Sequence, residues 1–176
     1  MFHFGQLEVC VALLVPLAVV IGYYDVRYRR IPNVYVLVTL VCGLVANTIV
    51  GGWRGALSSL AGAGIAFCLM LILHLFGALG AGDVKLFASI GAVIGMKMVL
   101  PAFAFVAITG GALAVISIFR FGTIIESAQR ISFIFFSMLT TWRAPRLAMP
   151  SNRKQTIPYG VAITLGSLIS LIVSRS

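Results

Sequence analysis

Apolar runs close to the length of a membrane-crossing helix occupy most of this chain, with short polar breaks between them. A helix needs about 20 consecutive apolar residues to cross the hydrocarbon of a bilayer, and a helix also satisfies its backbone hydrogen bonds internally. Of the 176 residues, 61% are hydrophobic and 10% are charged, whereas soluble domains are roughly 45–50% apolar and about 25% charged. The sequence therefore predicts an all-α, polytopic membrane protein.

Six of these runs are predicted to cross the membrane, within a single transmembrane domain over residues 1–176. Pro32 suits the start of the second helix, where its missing N–H costs little, and Asn33 can supply capping oxygens there. The fourth run is short, so we expect either extension through Lys97 or a tilt. The predicted spans cover residues 7–24, 34–50, 56–79, 84–95, 99–119 and 157–173.

Residues 120–156 are predicted to form a cytoplasmic loop that carries a short interfacial helix over residues 123–142. The uninterrupted apolar stretch in that segment is too short for a crossing, and Glu126 is placed to pair with Arg130 one turn on. The first span is expected to persist rather than to be cleaved as a signal peptide, because no Lys or Arg precedes it and no small-residue cleavage site follows.

The basic residues predict the orientation of the spans. The net charge is +9, and its clustering between apolar runs is typical of the positive-inside rule rather than of a nucleic-acid-binding surface. With the amino terminus outside, three basic residues lie outside, Arg54, Lys97 and Arg175, and ten face the cytoplasm: Arg27, Arg29, Arg30, Lys85, Arg120, Arg130, Arg143, Arg146, Arg153 and Lys154.

Only four residues are acidic, and two of them are candidates for catalysis. Glu8 lies near the outer end of the first span and Glu126 in the interfacial segment, whereas Asp25 and Asp83 each lie at a cytoplasmic helix end. Ionisable groups at the edge of the hydrocarbon are costly and usually functional. Two nearby carboxyls share a proton, so one can deprotonate a water while the other donates to a scissile carbonyl. The pattern predicts an aspartyl protease dyad.

The residues around Asp83 favour this interpretation. Gly80 and Gly82 allow a sharp turn and a close approach to a substrate, and Lys85 can tune the local field or contact lipid headgroups. Other interpretations stay open: Asp83 as a helix N-cap, Asp25 as a partner of Arg29, and a relay of protons or cations in a small transporter. A membrane scaffold without catalysis is a third class.

The remaining chemistry-bearing residues point to no further site. His74 either faces a cavity or is packed in the core, and His3 is near the terminus. The three cysteines, Cys10, Cys42 and Cys68, lie inside apolar runs without zinc-ligand spacing. We therefore expect no metal and no cofactor.

Three sequence elements resemble those of the type IV prepilin peptidase family. Residues 24–33, YDVRYRRIPN, match the D-x-R-x-x-x-I-P-N element, and residues 80–86, GAGDVKL, match G-x-G-D-x-K-L. Residues 157–163, IPYGVAI, are similar to the opening of the family's last helix. The elements occur in family order, and the resemblance extends over nearly the whole chain.

The resemblance implies an endopeptidase of the bacterial inner membrane that cuts the basic leader from prepilins at the cytoplasmic edge of the membrane. The short form looks most like the branch that serves Flp-type pili of tight-adherence systems. The family's two aspartates correspond to Asp25 and Asp83, and its motifs supply the supporting residues Arg27, Pro32, Asn33, Gly80, Gly82, Lys85, Pro158 and Gly160. Longer members also N-methylate the pilin and carry a four-cysteine zinc insert, which this sequence lacks, so methyl transfer is not expected. Prepilin and membrane lipid are the expected partners.

Overall fold

The computed structural model describes residues 4–28, 32–75, 79–121 and 159–174, and within these ranges the chain is helical without strands. The all-α class is confirmed for this part of the chain, while the interfacial helix over residues 123–142 lies outside it. The described helices are α1 (Phe4–Tyr28), α2 (Asn33–Leu75), α3 (Ala81–Ile94), α4 (Met96–Phe121) and α5 (Tyr159–Val173).

Gly52 divides α2 into two arms, residues 33–51 and 53–75. Its backbone has φ 57° and ψ −144°, a left-handed conformation that glycine adopts without steric cost. Gly43 and Gly62, one in each arm, both pack against the C-terminal end of α3, although about 28 Å would separate them in a straight helix. The arms therefore fold back on each other at the predicted boundary between the second and third spans. That the chain crosses the membrane six times remains a prediction.

The innermost described helix is α3, which contacts α1, α2, α4 and α5. Every side chain from Val84 to Ile94 is buried except that of Lys85, which is exposed. The Phe87 ring packs against Phe103 of α4, with 6.1 Å between the ring centroids. A helix enclosed in this way has no polar face, in keeping with the continuous apolar run in its sequence.

Gly95 ends α3 and separates it from α4. Its φ of 73° lies outside the helical range, and its N–H donates to the Gly91 carbonyl at 2.9 Å. Of the two expectations for this span, the extension through Lys97 is wrong, because Lys97 belongs to α4, and the tilt stays a prediction. With 14 residues, α3 is about 21 Å long, shorter than the hydrocarbon core of about 30 Å.

Polar side chains of α1 and α2 donate hydrogen bonds to backbone carbonyls at the buried C-terminal end of α3. The last four carbonyls of a helix have no partner within it. The Asn47 side chain donates to the carbonyls of Ala92 and Val93, both at 2.9 Å. The Ser59 hydroxyl donates to the Ala92 carbonyl at 2.7 Å, and the Cys10 thiol to the Val93 carbonyl at 3.2 Å. These contacts explain why polar residues occur inside apolar runs.

The outer surface of the bundle is apolar, as expected for a protein in lipid. By length and composition, α2 and the Met96–Leu113 part of α4 can cross a membrane, and the apolar segments Cys10–Asp25 and Tyr159–Val173 are shorter. Large apolar side chains point outward from all of these helices, among them Val19, Ile49, Trp53, Leu100, Ile108 and Ile172. Soluble monomers rarely expose contiguous apolar surface on this scale.

Candidate functional site

Asp25 lies near the end of α1 and faces the start of α5. Only 8% of its surface is exposed. Its Oδ2 accepts hydrogen bonds from the backbone N–H groups of Gly160, at 2.7 Å, and Val161, at 3.3 Å. The first N–H groups of a helix have no partner within it and carry partial positive charge. Asp25 therefore caps α5 from a helix 135 residues away in sequence.

Close approach at this point requires glycine at position 160. A Cβ atom there would lie 2.8 Å from Oδ2 of Asp25 and 3.0 Å from Cγ2 of Ile21. Both distances are shorter than the roughly 3.5 Å of ordinary contact. The glycine that the family resemblance singles out thus has a physical role, since it lets the carboxyl reach the backbone of α5.

Asp83 lies in the first turn of α3, next to the break that follows α2. The N-cap of α3 is Gly80, and Asp83 is the third helical residue, so the alternative in which Asp83 itself is the N-cap is wrong. Its Oδ2 accepts a hydrogen bond from the Gly80 N–H at 3.1 Å. Asp83 reaches back to the cap residue, as the acid of a capping box does, and remains half-buried.

The fold brings the two carboxyls into one neighbourhood, although 58 residues separate them in sequence. Asp25 and Asp83 are close enough to interact electrostatically, and Tyr159, the residue before Gly160, also interacts electrostatically with Asp83. The junction of α1, α3 and α5 therefore holds both acids. Their catalytic role stays a prediction.

The other residues singled out by sequence lie at varying distances from this junction. Gly80 is the N-cap of α3 and Gly82 lies in the first turn of that helix, and both are half-buried. Pro32 precedes α2 and is half-buried as well. Three others, Arg27, Asn33 and Lys85, have exposed side chains, and Arg27 lies over the Tyr28 ring at 6.0 Å. Pro158, Arg29, Glu126 and Arg130 lie outside the described residues.

His74 lies near the two acids. The sequence had left open whether this residue faces a cavity or is packed in the core. It lies in the last turn of α2, half-buried, with its Nδ1 2.7 Å from the Leu79 carbonyl oxygen. It also interacts electrostatically with Asp83. Tyr159 and Val161 belong to the sequence element over residues 157–163, but neither was singled out as a site residue, because a main-chain donor has no sequence signature and the contact of the Tyr159 ring depends on the fold.

An apolar cavity of about 200 Å³ lies between the second arm of α2, α4 and α5. Leu79 and Tyr159 line it, and these residues precede the two glycines that contact Asp83 and Asp25. Gly110 and Gly111 of α4 form part of its wall, and a Cβ at Gly111 would meet no atom within 4 Å. The cavity thus has room for an apolar group, and its wall includes the residues that precede Gly80 and Gly160.

The groups assembled here suit hydrolysis. Two interacting carboxyls can hold one proton between them, and backbone N–H groups keep Asp25 in place. Among the described residues, no three His, Cys, Asp or Glu side chains are grouped so that they could hold a metal ion.

Comparison with known proteins gives matches in one family. The model of the type IV leader peptidase family matches residues 12–115, a range that includes both aspartates. The prepilin leader peptidase/N-methyltransferase of Bacillus subtilis (strain 168) is 32% identical over 170 residues, which cover 93% of this chain and 55% of that protein. The chain thus spans about half the length of the curated relative that it matches. No solved structure matches.

Proposed function

This chain belongs to the type IV leader peptidase family, and from that premise we propose that it is a membrane aspartyl endopeptidase that cleaves the leader from prepilins. Asp25 and Asp83 are the proposed catalytic pair. The observation that carries the proposal is the convergence of these two acids, the only aspartates in the sequence, at one buried junction where they interact electrostatically.

The proposed reaction needs one ionised and one protonated carboxyl. The ionised carboxyl takes a proton from a water, whose oxygen attacks the scissile carbonyl carbon, while the protonated one donates to the carbonyl oxygen. Collapse of the tetrahedral intermediate breaks the C–N bond, and a proton passes to the leaving amine. Because the N–H groups of Gly160 and Val161 already hold Asp25, little reorganisation is needed during the reaction.

The apolar cavity supports a peptide substrate with an apolar segment. An apolar cavity of about 150 Å³ is known to hold a benzene molecule, so the cavity of about 200 Å³ has room for one aromatic or branched side chain. A prepilin joins a basic leader to an apolar helix, and its cleaved bond lies at the membrane edge. We propose that an apolar side chain near that bond enters the cavity.

The proposed setting is a bacterial inner membrane, with the amino terminus outside and the acids at the cytoplasmic edge. The excess of basic residues in the predicted cytoplasmic segments supports this orientation, and the apolar outer surface supports contact with lipid. Flp-like prepilins are the proposed substrates on the basis of the resemblance of residues 158–163, PYGVAI, to that branch of the family. Methyl transfer is not proposed.

Co-expression with a candidate Flp-like prepilin, read as a gel shift from precursor to mature pilin, tests the proposal. We expect Asp25→Asn and Asp83→Asn each to abolish conversion while the protein remains in the membrane at normal abundance. Glu8→Gln is the matched control, since Glu8 is an exposed acid on α1, and it should process normally. Normal conversion by either aspartate variant would refute the catalytic pair. Asp-dependent ion flux in liposomes without cleavage would instead favour the transporter.

A further inference from the structure

One peptide group connects His74 to Asp83. The carbonyl oxygen of the Leu79–Gly80 peptide accepts from His74 Nδ1 at 2.7 Å, and its N–H donates to Asp83 Oδ2 at 3.1 Å. The peptide is thus bound on both sides, by the last turn of α2 and by the first turn of α3. We propose that His74 is a positioning residue that holds the Asp83 carboxyl through this peptide, an inference that rests on the proposed function.

The rigidity of the peptide group is what transmits the contact. Because the C–N bond is planar and rotation about it is strongly resisted, fixing the direction of the Leu79 carbonyl also fixes the direction of the Gly80 N–H. That N–H in turn sets where Oδ2 of Asp83 can lie. A hydrogen bond to the carbonyl also polarises the N–H on the other side, which strengthens the hydrogen bond of that N–H by about 10–30%.

The contact with the Leu79 carbonyl determines that Nδ1 of the His74 ring carries a hydrogen. A carbonyl oxygen can only accept, so Nδ1 of His74 must carry a hydrogen. Nδ1 keeps that hydrogen whether the ring is neutral or charged. The link to Asp83 therefore has a defined donor, as a positioning contact requires.

Replacement of His74 separates positioning from packing. His74→Leu removes the donor, whereas His74→Asn retains an N–H donor near the place of Nδ1, and His74→Gln moves it one bond further out. With purified protein and a prepilin peptide, we expect kcat to fall about 10- to 100-fold in His74→Leu, as for a misplaced catalytic group. KM should stay unchanged, and His74→Asn should recover most of the kcat.

The alternatives lead to different results. An unchanged kcat in His74→Leu, or a change in KM alone, overturns the proposal. Should His74→Leu fail to accumulate, the Asn and Gln variants decide: equal kcat values for these two would refute positioning, and a higher value for Asn supports it. If the wild-type protein cleaves no prepilin, the proposed function fails and the inference fails with it.

A measurement independent of activity examines the ring itself. The chain has two histidines, so a His3→Gln variant labelled with ¹⁵N-histidine leaves His74 as the single labelled ring. We expect its nitrogen resonances to show a proton on Nδ1. A neutral ring protonated at Nε2 alone would rule out the hydrogen bond to Leu79.

Discussion

Gly160→Ala tests whether the position of the Asp25 carboxyl matters for activity, because the substitution changes neither of the two acidic residues. The new Cβ would lie 2.8 Å from Oδ2 and 3.2 Å from Cγ of Asp25. Oδ2 already accepts the Gly160 N–H at 2.7 Å, so the carboxyl has no free space on that side. The methyl group therefore displaces the acid from the start of α5.

The size of the effect follows from these distances. Ordinary contact at about 3.5 Å requires a displacement of roughly 0.7 Å, and a misplacement of about 1 Å can cost about 10²-fold in rate. We therefore expect processing to fall by between about 10-fold and 10²-fold. Because the displaced atom is the end of a rotatable side chain rather than backbone, the membrane abundance should change little.

Gly22→Ala is the matched control for this variant. Gly22 lies on α1, the helix that carries Asp25, and a Cβ there would meet no atom within 4 Å. Both variants are compared by the initial rate of prepilin conversion and by the amount of protein in the membrane. Processing by Gly160→Ala at the wild-type rate would refute the inference that α5 positions Asp25. A loss of membrane protein in Gly160→Ala alone would show that the contact serves folding.

Three further predictions concern packing and the cavity. Asn47→Leu removes a donor from the Ala92 carbonyl and should lower the free energy of unfolding by about 1–3 kcal/mol, seen as a lower Tm in detergent; an unchanged Tm would contradict the capping of α3. Gly62→Ala places a Cβ against the backbone of α3 and should cost about 1–3 kcal/mol through overpacking. By contrast, Gly64→Ala adds a methyl group in open space and should stabilise by up to about 1 kcal/mol; equal Tm values for the two would contradict the packing of α2 on α3. Gly111→Leu should fill the cavity and lower kcat/KM for prepilin by roughly 10-fold or more, since a buried apolar side chain is worth about 1.5–3 kcal/mol, whereas normal processing would exclude the cavity as a substrate site.

The sequence by itself determined the helical class and the candidate acids. Apolar runs of this length satisfy their backbone hydrogen bonds locally, so helices follow from pattern alone, and Gly52 ends an arm of α2 where the sequence predicts a boundary. With only four acidic residues in the chain, Asp25 and Asp83 could be chosen by charge cost and position. These conclusions depend only on composition and on residues that are close together in the sequence.

The length of α3 was decided by tertiary packing. A local pattern does not distinguish an extended fourth span from one that ends at Gly95, and the expected extension through Lys97 was wrong. The helix can end inside the bundle because Asn47, Ser59 and Cys10 supply donors to its last carbonyls. Those partners lie 33 to 83 residues away, beyond the reach of any periodicity.

The arrangement of the site was likewise decided by the tertiary structure. The sequence singled out Gly160 but not the hydrogen bond that its N–H donates to Asp25. It also left open whether His74 faces a cavity or is packed in the core. A backbone donor is common to nearly every residue, so its role depends only on which helix end the fold places against it. Helix packing made that choice, by bringing α1, α3 and α5 to one junction.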